Sequence, residues 1–213
     1  EQNAPGLILQ YLKLIRDVNH SKNIISYPGS PALVHQLLRE NDRMVLCEWH
    51  SKDYQELRQL FYKDSSVAVH YQDGYLALKA FLPPKERRGL VLIDPPYENT
   101  NECQLILSGL KDGLHRFSQG IYAVWYPIKT DSIIRQMMLK ISKEFLQEKL
   151  IIEFFTGKEI ERNELEGMGM LIINPPWQLE ESLHPVCDWL IQFMQNNHGH
   201  YRVFKNEMIG NQR

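Results

Sequence analysis

Between Leu90 and Glu98 the chain reads LVLIDPPYE, an apolar run that ends on a carboxylate, two prolines and an aromatic ring. Proline disfavours the helical region for the residue before it, so Asp94 stays extended and its carboxylate projects from the end of the run. Proline also has no N–H, so positions 95 and 96 offer carbonyl acceptors and no backbone donors. A pocket of acceptors alone suits an amine on a heteroaromatic ring, one hydrogen held by Asp94 and the other by the Pro95 carbonyl. Tyr97 adds a face on which a planar base can stack, a contact worth about 1–3 kcal/mol per base. The lone pair of such an amine is delocalised into its ring. Holding it pyramidal and in line with an electrophilic methyl would lower the barrier through orientation and electrostatics. Asp94 then serves mainly as acceptor and orienter, and proton loss can follow methyl transfer. A rigid Pro-Pro turn with no chemistry is the bland alternative.

A second phrase, LIINPPW from Leu171 to Trp177, is nearly the same. Asn174 can accept through its side-chain carbonyl as an aspartate does. Order along the chain separates the two motifs. Asp94 ends the third of three strand-like runs that close on an acid, beside the point where a doubly wound sheet reverses and ligands bind. Asn174 follows two further strands and is expected toward the far side of the sheet. Pro175, Pro176 and Trp177 are therefore read as a structural corner, with Trp177 packed on the core.

The elements that must position these residues follow from periodicity. Ile8, Leu12, Ile15 and Val18 have helical spacing, so a helix is expected from about Pro5 to Val18. Ser30 is expected as the N-cap of a second helix reaching about Glu40, with Pro31 at its first position. Strand-like runs follow at Arg43–Trp49, Val67–Tyr71, Leu90–Ile93, Ile121–Tyr126, Leu150–Phe155 and Met170–Ile173, and HYRVF near the end can add another. Helix-compatible stretches separate them at Ser51–Phe61, Tyr75–Phe81, Glu102–Phe117 and Thr130–Gln147, and a last one covers Glu180–Asn196. Alternation of this kind predicts an α/β fold, a mostly parallel sheet with helices on both faces. The segment Thr156–Gly167 reads as a long, charged, exposed loop.

In such a sheet Glu48, Asp73 and Asp94 should line one edge. A carboxylate after the second strand can accept from ribose hydroxyls, and an aspartate after the third from an exocyclic amine. Gly74 lets the backbone approach a flat ring closely. Each acid taken singly could equally cap the next helix; the set of three favours a ligand site.

Composition narrows the field. The 213 residues carry 24 Lys and Arg against 26 Asp and Glu, a net charge of −2 that sits awkwardly with nucleic-acid binding. Cys47, Cys103 and Cys187 are widely spaced, without CxxC or a histidine cluster, and are read as small apolar residues rather than a disulfide framework or zinc site. The eight histidines lack metal-binding spacing. Apolar runs are strand-sized, short of a membrane span, and a cytoplasmic location with no membrane and no metal partner is the expectation. Lys85–Arg88, KERR, could touch phosphate or form a solvated loop. Trp125, Tyr126 and Pro127 could wall a base pocket or simply pack.

The DPPY motif resembles that of adenine-amino methyltransferases dependent on S-adenosylmethionine (SAM). YPGSP, DG before a helix, RRGLVLIDPPYE, GIYAVWYP, GMGMLIINPPW and GHYRV together resemble the RlmJ family of bacterial 23S rRNA adenine-N6 methyltransferases, from Tyr27 to nearly the end. The resemblance implies a Rossmann-like fold, SAM as cofactor, and methylation of the 6-amino group of an adenine in 23S rRNA, in protein-free or early-assembly form. It implies Ser30, Glu48, Asp73 and Gly74 as cofactor contacts and Asp94, Pro95 and Tyr97 as the catalytic group. Residues 1–26 would be the end of a helical insertion and 27–213 the methyltransferase core, a single domain overall. The family's first strand and its glycine-rich SAM loop are not found among these residues. The chain is then either a piece of a longer protein or one that has lost that loop, as an RNA-binding pseudoenzyme would. An adenine-amino methyltransferase for another nucleic acid, or one for a protein glutamine, also remains open.

Overall fold

A computed structural model describes residues 3–19, 24–99, 101–129, 132–157, 165–193 and 198–205. Two compact units make up the chain, Glu1–Ala77 and Leu78–Arg213.

In the first unit, helices α1 (Gly6–Asn19) and α2 (Ser30–His35) precede strand β1 (Met44–Glu48), helix α3 (Ser51–Leu60) and strand β2 (Val67–Tyr71). β1 and β2 pair in parallel, Met44 opposite Val67 and Glu48 opposite Tyr71, with α3 as the crossover. α2 departs from expectation. Its N-cap is Gly29, without a side-chain bond, so Ser30 already lies inside the helix, which ends at His35 rather than near Glu40. Pro31 at the second helical position has no N–H to satisfy and sets the start one residue early.

The second unit begins within α4 (Gly74–Phe81), which starts in the first, and continues through β3 (Leu90–Ile93), α5 (Glu102–Arg116), β4 (Ile121–Lys129), α6 (Ser132–Glu144), β5 (Lys149–Phe155), β6 (Leu165–Ile173), α7 (Leu179–Ile191) and β7 (His200–Lys205). Its five-stranded sheet has the order β3-β4-β6-β5-β7. β3 and β4 are parallel, whereas β6 runs antiparallel to both β4 and β5, and β7 antiparallel to β5. The sheet is mixed, with its parallel character carried by the earlier strands.

Both faces are covered. Ile151 and Ile152, on opposite faces of β5, are 0% and 6% exposed. On one face Cys187 of α7 packs with Leu150 and Ile152, joined by Leu179 and Leu183 at helical spacing. α5 buries Ile106, Leu110 and Leu114, one residue per turn on one stripe. At the start of β5, buried Lys149 donates to the carbonyls of Phe145 (2.6 Å) and Gln147 (2.8 Å) in the connection that follows α6; burial lowers its pKa.

β6 starts at Leu165, so the expected loop Thr156–Gly167 is shorter than its polarity suggested; its residues 158–164 lie outside the described residues, as do Thr130 and Asn196 at the bounds of two expected helices. Gly167 and Gly169 weakened the strand signal there. Gly169 is in the strand because of what crosses it. A Cβ on Gly169 would lie 2.1 Å from the Tyr126 ring, which reaches over β6 to Glu153 on β5.

Candidate active site

Asp94 lies one residue past Ile93, the last β3 residue paired with β4. The strand stops there because two prolines follow and cannot donate to the ladder. The residue is solvent-accessible, yet neighbours desolvate one side of the carboxyl and raise its pKa. Tyr97 turns the loop back toward the sheet with φ +54°, a left-handed conformation that strains a bulky residue. Its hydroxyl donates to the Trp125 carbonyl at 2.7 Å, and the two rings meet at a 5.9 Å centroid distance and 59°. Trp125 is one residue beyond the last β3–β4 pair, so the hydroxyl continues the bonding that β3 has ceased to supply.

The Tyr97 phenol remains protonated across the working pH range. Burial pushes its pKa up, and negative charge on Cys103, Asp94 and Glu102 adds to the effect. Next to Trp125, Tyr126 is 1% exposed and donates to Glu153 Oε1 at 2.8 Å. Its own phenol is raised by burial and then by Glu153. The acceptor loop thus rests on a wall of ordered aromatic side chains.

Three features of this wall escaped sequence reasoning: the Trp125 carbonyl as an anchor, buried Glu102 at the start of α5, and the Tyr126–Glu153 bridge. A half-buried tyrosine hydroxyl requires a partner, which was a signal for the first. Nothing local signals the bridge, because it joins strands far apart in the chain.

The NPPW motif is built for another task. Tyr122 of β4 pairs with Ile173 of β6, so Asn174 emerges at the edge where β4 begins, opposite to the edge carrying Asp94. Its amide donates to the Ser118 and Gly120 carbonyls, both at 2.8 Å, and its backbone N–H to Glu148 O at 2.9 Å. With its donors committed in this way, Asn174 ties down the turn between α5 and β4. Trp177 does not pack on the core and is 87% exposed. Left-handed Asn174 and Gln178 bracket the two prolines and turn the chain off the sheet, leaving the burial duty of α7 to Leu179, Leu183 and Cys187.

In the first unit Glu48 is the last residue of β1 and Asp73 lies two residues past the end of its parallel neighbour β2, and Gln72 N–H donates to Glu48 O at 3.2 Å. Both carboxylates also serve locally. Glu48 Oε1 accepts from His50 N–H at 2.6 Å, and Asp73 Oδ1 from the N–H groups of Tyr75 (2.7 Å) and Leu76 (3.4 Å) at the start of α4. Each retains a second oxygen for a ligand. Exposed Trp49, directly after Glu48, stacks on Tyr71 at 5.7 Å and 10°, and nothing lies within 4 Å of where a Gly74 Cβ would be. Carboxylates, an open glycine and an exposed aromatic pair are groups that could hold a ribose and a planar base. Ser30 stands at the start of α2 in the same unit.

Cys47, Cys103 and Cys187 are free thiols; burial raises the first and last to about 11. Among the described residues no cluster of His, Cys, Asp and Glu has metal-site geometry, and no helix is long and apolar enough to cross a membrane.

Acids at the carboxyl ends of parallel strands, helices on both sheet faces and an Asp-Pro-Pro-Tyr loop define an α/β methyltransferase of the Rossmann-like class. Comparisons with known proteins narrow this. The chain belongs to the RlmJ family, whose model, described as ribosomal RNA large subunit methyltransferase D, RlmJ, matches residues 1–205. It is 40% identical over 190 residues to ribosomal RNA large subunit methyltransferase J of Escherichia coli K12, covering 89% of this chain and 68% of that protein. The Haemophilus influenzae protein of the same name is 38% identical over 195 residues, with the same coverage. Among solved structures, protein LPL1258 of Legionella pneumophila superposes with a TM-score of 0.90 at 33% identity, over 97% of this chain and 76% of that one.

Proposed function

We propose that this protein transfers a methyl group from S-adenosylmethionine to the exocyclic 6-amino group of an adenine in 23S rRNA. The observation that carries this reading is the loop at the end of β3, where Asp94 and the donor-free prolines face out while Tyr97 is pinned to β4. Family membership supports the RNA substrate and the methyl donor.

In this reading an adenine extracted from its stack lies on Tyr97. Asp94 accepts one amine hydrogen and the Pro95 carbonyl the other, which turns the nitrogen lone pair out of the ring plane. SAM, when bound, supplies an electrophilic methyl on a sulfonium. The nitrogen forms the new N–C bond as the C–S bond breaks, and the surplus proton leaves the amine afterwards to water. Asp94 thus stabilises charge that develops on nitrogen and need not keep the proton. Glu48 would hold the ribose hydroxyls, Asp73 the adenine amine of the cofactor, and Ser30 and Gly74 would make further contacts with it.

The test is transfer of labelled methyl from SAM to protein-free 23S rRNA. Asp94→Ala should lose about 10²–10³ in kcat, the usual loss for one preorganised charge-stabilising group. Wild-type activity in that variant would remove Asp94 from the chemistry.

A further inference from the structure

Three cations on the opposite edge of the second unit make no ion pair among the described residues. Lys85 and Arg87, from the loop before β3, and Arg116, which ends α5, line a depression of about 510 Å³ together with Gln119. The KERR segment that contributes two of them has no part in the chemistry above. Among the described residues no acidic side chain lines the depression.

The depression is a built feature. Phe117, 2% exposed, forms part of its floor and is wedged between two glycines: a Cβ would meet its ring at 3.5 Å from Gly89 and 2.4 Å from Gly120. Asn174 holds the carbonyls of Ser118 and Gly120 on either side of Gln119. Arg87 sits at φ +58°, and its N–H donates to Pro84 O at 3.2 Å. A left-handed arginine is strained, and the conformation sets the direction in which its guanidinium leaves the loop.

We propose that this depression is a phosphate cradle that grips the RNA backbone on one flank of the target base, an inference that rests on the RNA reading above. Two guanidinium forks and an ammonium in a concavity free of acids match phosphate geometry. Phosphate contacts position a nucleic acid without reading its sequence. β3 separates the cradle from Asp94, which at about 3.3 Å per residue is roughly 15 Å, or four to five nucleotides at about 3.4 Å each. The cradle therefore grips a neighbouring segment and leaves the base pocket free. It also accounts for RNA binding by a chain of net charge −2, because the cations are concentrated where the phosphate lies.

The experiment is a salt titration of binding to a protein-free 23S rRNA transcript, using the full chain, with methyl transfer measured alongside. Each phosphate contact contributes about 0.7–0.9 to the slope of log K against log salt. Arg87→Ala with Arg116→Ala should flatten the slope by about 1.4–1.8, a loss of about 25- to 60-fold at 0.1 M salt. Arg87→Lys with Arg116→Lys should keep most of the slope. Should the alanine pair melt early, Arg87→Gln and Arg116→Gln carry the test singly at half the change. A folded alanine or glutamine variant with the wild-type slope overturns the cradle, and if wild type still transfers methyl, the RNA reading stands without it. Wild type that neither binds the transcript nor methylates it overturns the RNA reading itself. Inorganic phosphate that binds through these arginines while the RNA slope is unchanged would assign the depression to a free anion and overturn the proposal.

Discussion

Tyr97→Phe removes one hydroxyl and keeps the ring, so it separates the pinning of the loop from stacking. The hydroxyl lies 2.7 Å from the Trp125 carbonyl and holds a backbone at φ +54°. A left-handed aromatic residue costs about 1–3 kcal/mol. Removing the donor leaves a half-buried carbonyl without its partner, about 1–3 kcal/mol again. Strain and bond are therefore of similar size, and the pinned loop has little reserve. Loss of the hydroxyl should move the loop equilibrium by about 1–3 kcal/mol toward a relaxed form, a factor of about 5 to 150 at about 1.4 kcal/mol per tenfold. If methyl transfer requires the pinned form, kcat/KM falls by the fraction that remains competent. The assay is methyl transfer to 23S rRNA under kcat/KM conditions, with SAM affinity measured separately and expected to be unchanged. A Tyr97→Phe protein with wild-type kcat/KM and melting temperature would refute the pinning argument.

Two other perturbations test the contrast between the motifs. Burial raises the Asp94 pKa, so the folded state holds that proton more tightly than the unfolded chain. The ionised carboxylate then destabilises the fold above the raised folded pKa, and the penalty fades as pH drops through it. Asp94→Asn should accordingly melt slightly above wild type at pH 7, with the gap closing in acid and methyl transfer impaired; a lower melting point at pH 7 would contradict the desolvation. Asn174→Ala removes two 2.8 Å bonds and leaves at φ +54° a residue that tolerates the left-handed region less well than asparagine, at a cost of roughly 2–4 kcal/mol in denaturant unfolding. Its kcat per folded molecule at saturating RNA should stay within a few-fold, and a kcat loss like that of Asp94→Ala would place Asn174 in the chemistry.

Local pattern was sufficient where local physics decides. Apolar runs broken by acids and turn residues located β1 to β5 closely, since strand length and helical spacing are properties of neighbours in sequence. The donor-free character of Asp94-Pro95-Pro96 follows from proline itself and needed no fold. The Ser30 cap, a local inference, failed by one residue because the proline behind it drew Gly29 into that place.

Tertiary structure decided the rest. Whether β6 runs with or against β4 depends on which edge can accept it, and that direction put Asn174 opposite Asp94 and made one Pro-Pro motif a brace. Trp177 was read as core from its chemistry alone, but burial is a property of the site, and the left-handed turns around it point the chain outward. Gly169 carried no meaning until Tyr126 and Glu153 met across it. Arg116 stands 29 residues after Arg87 in a chain of slight negative charge, and only folding brings it to one depression with Lys85 and Arg87. Sequence by itself determined which residues could do chemistry, because that depends on side-chain type and nearest neighbours. Which of them share an edge was left to the packing of strands distant along the chain.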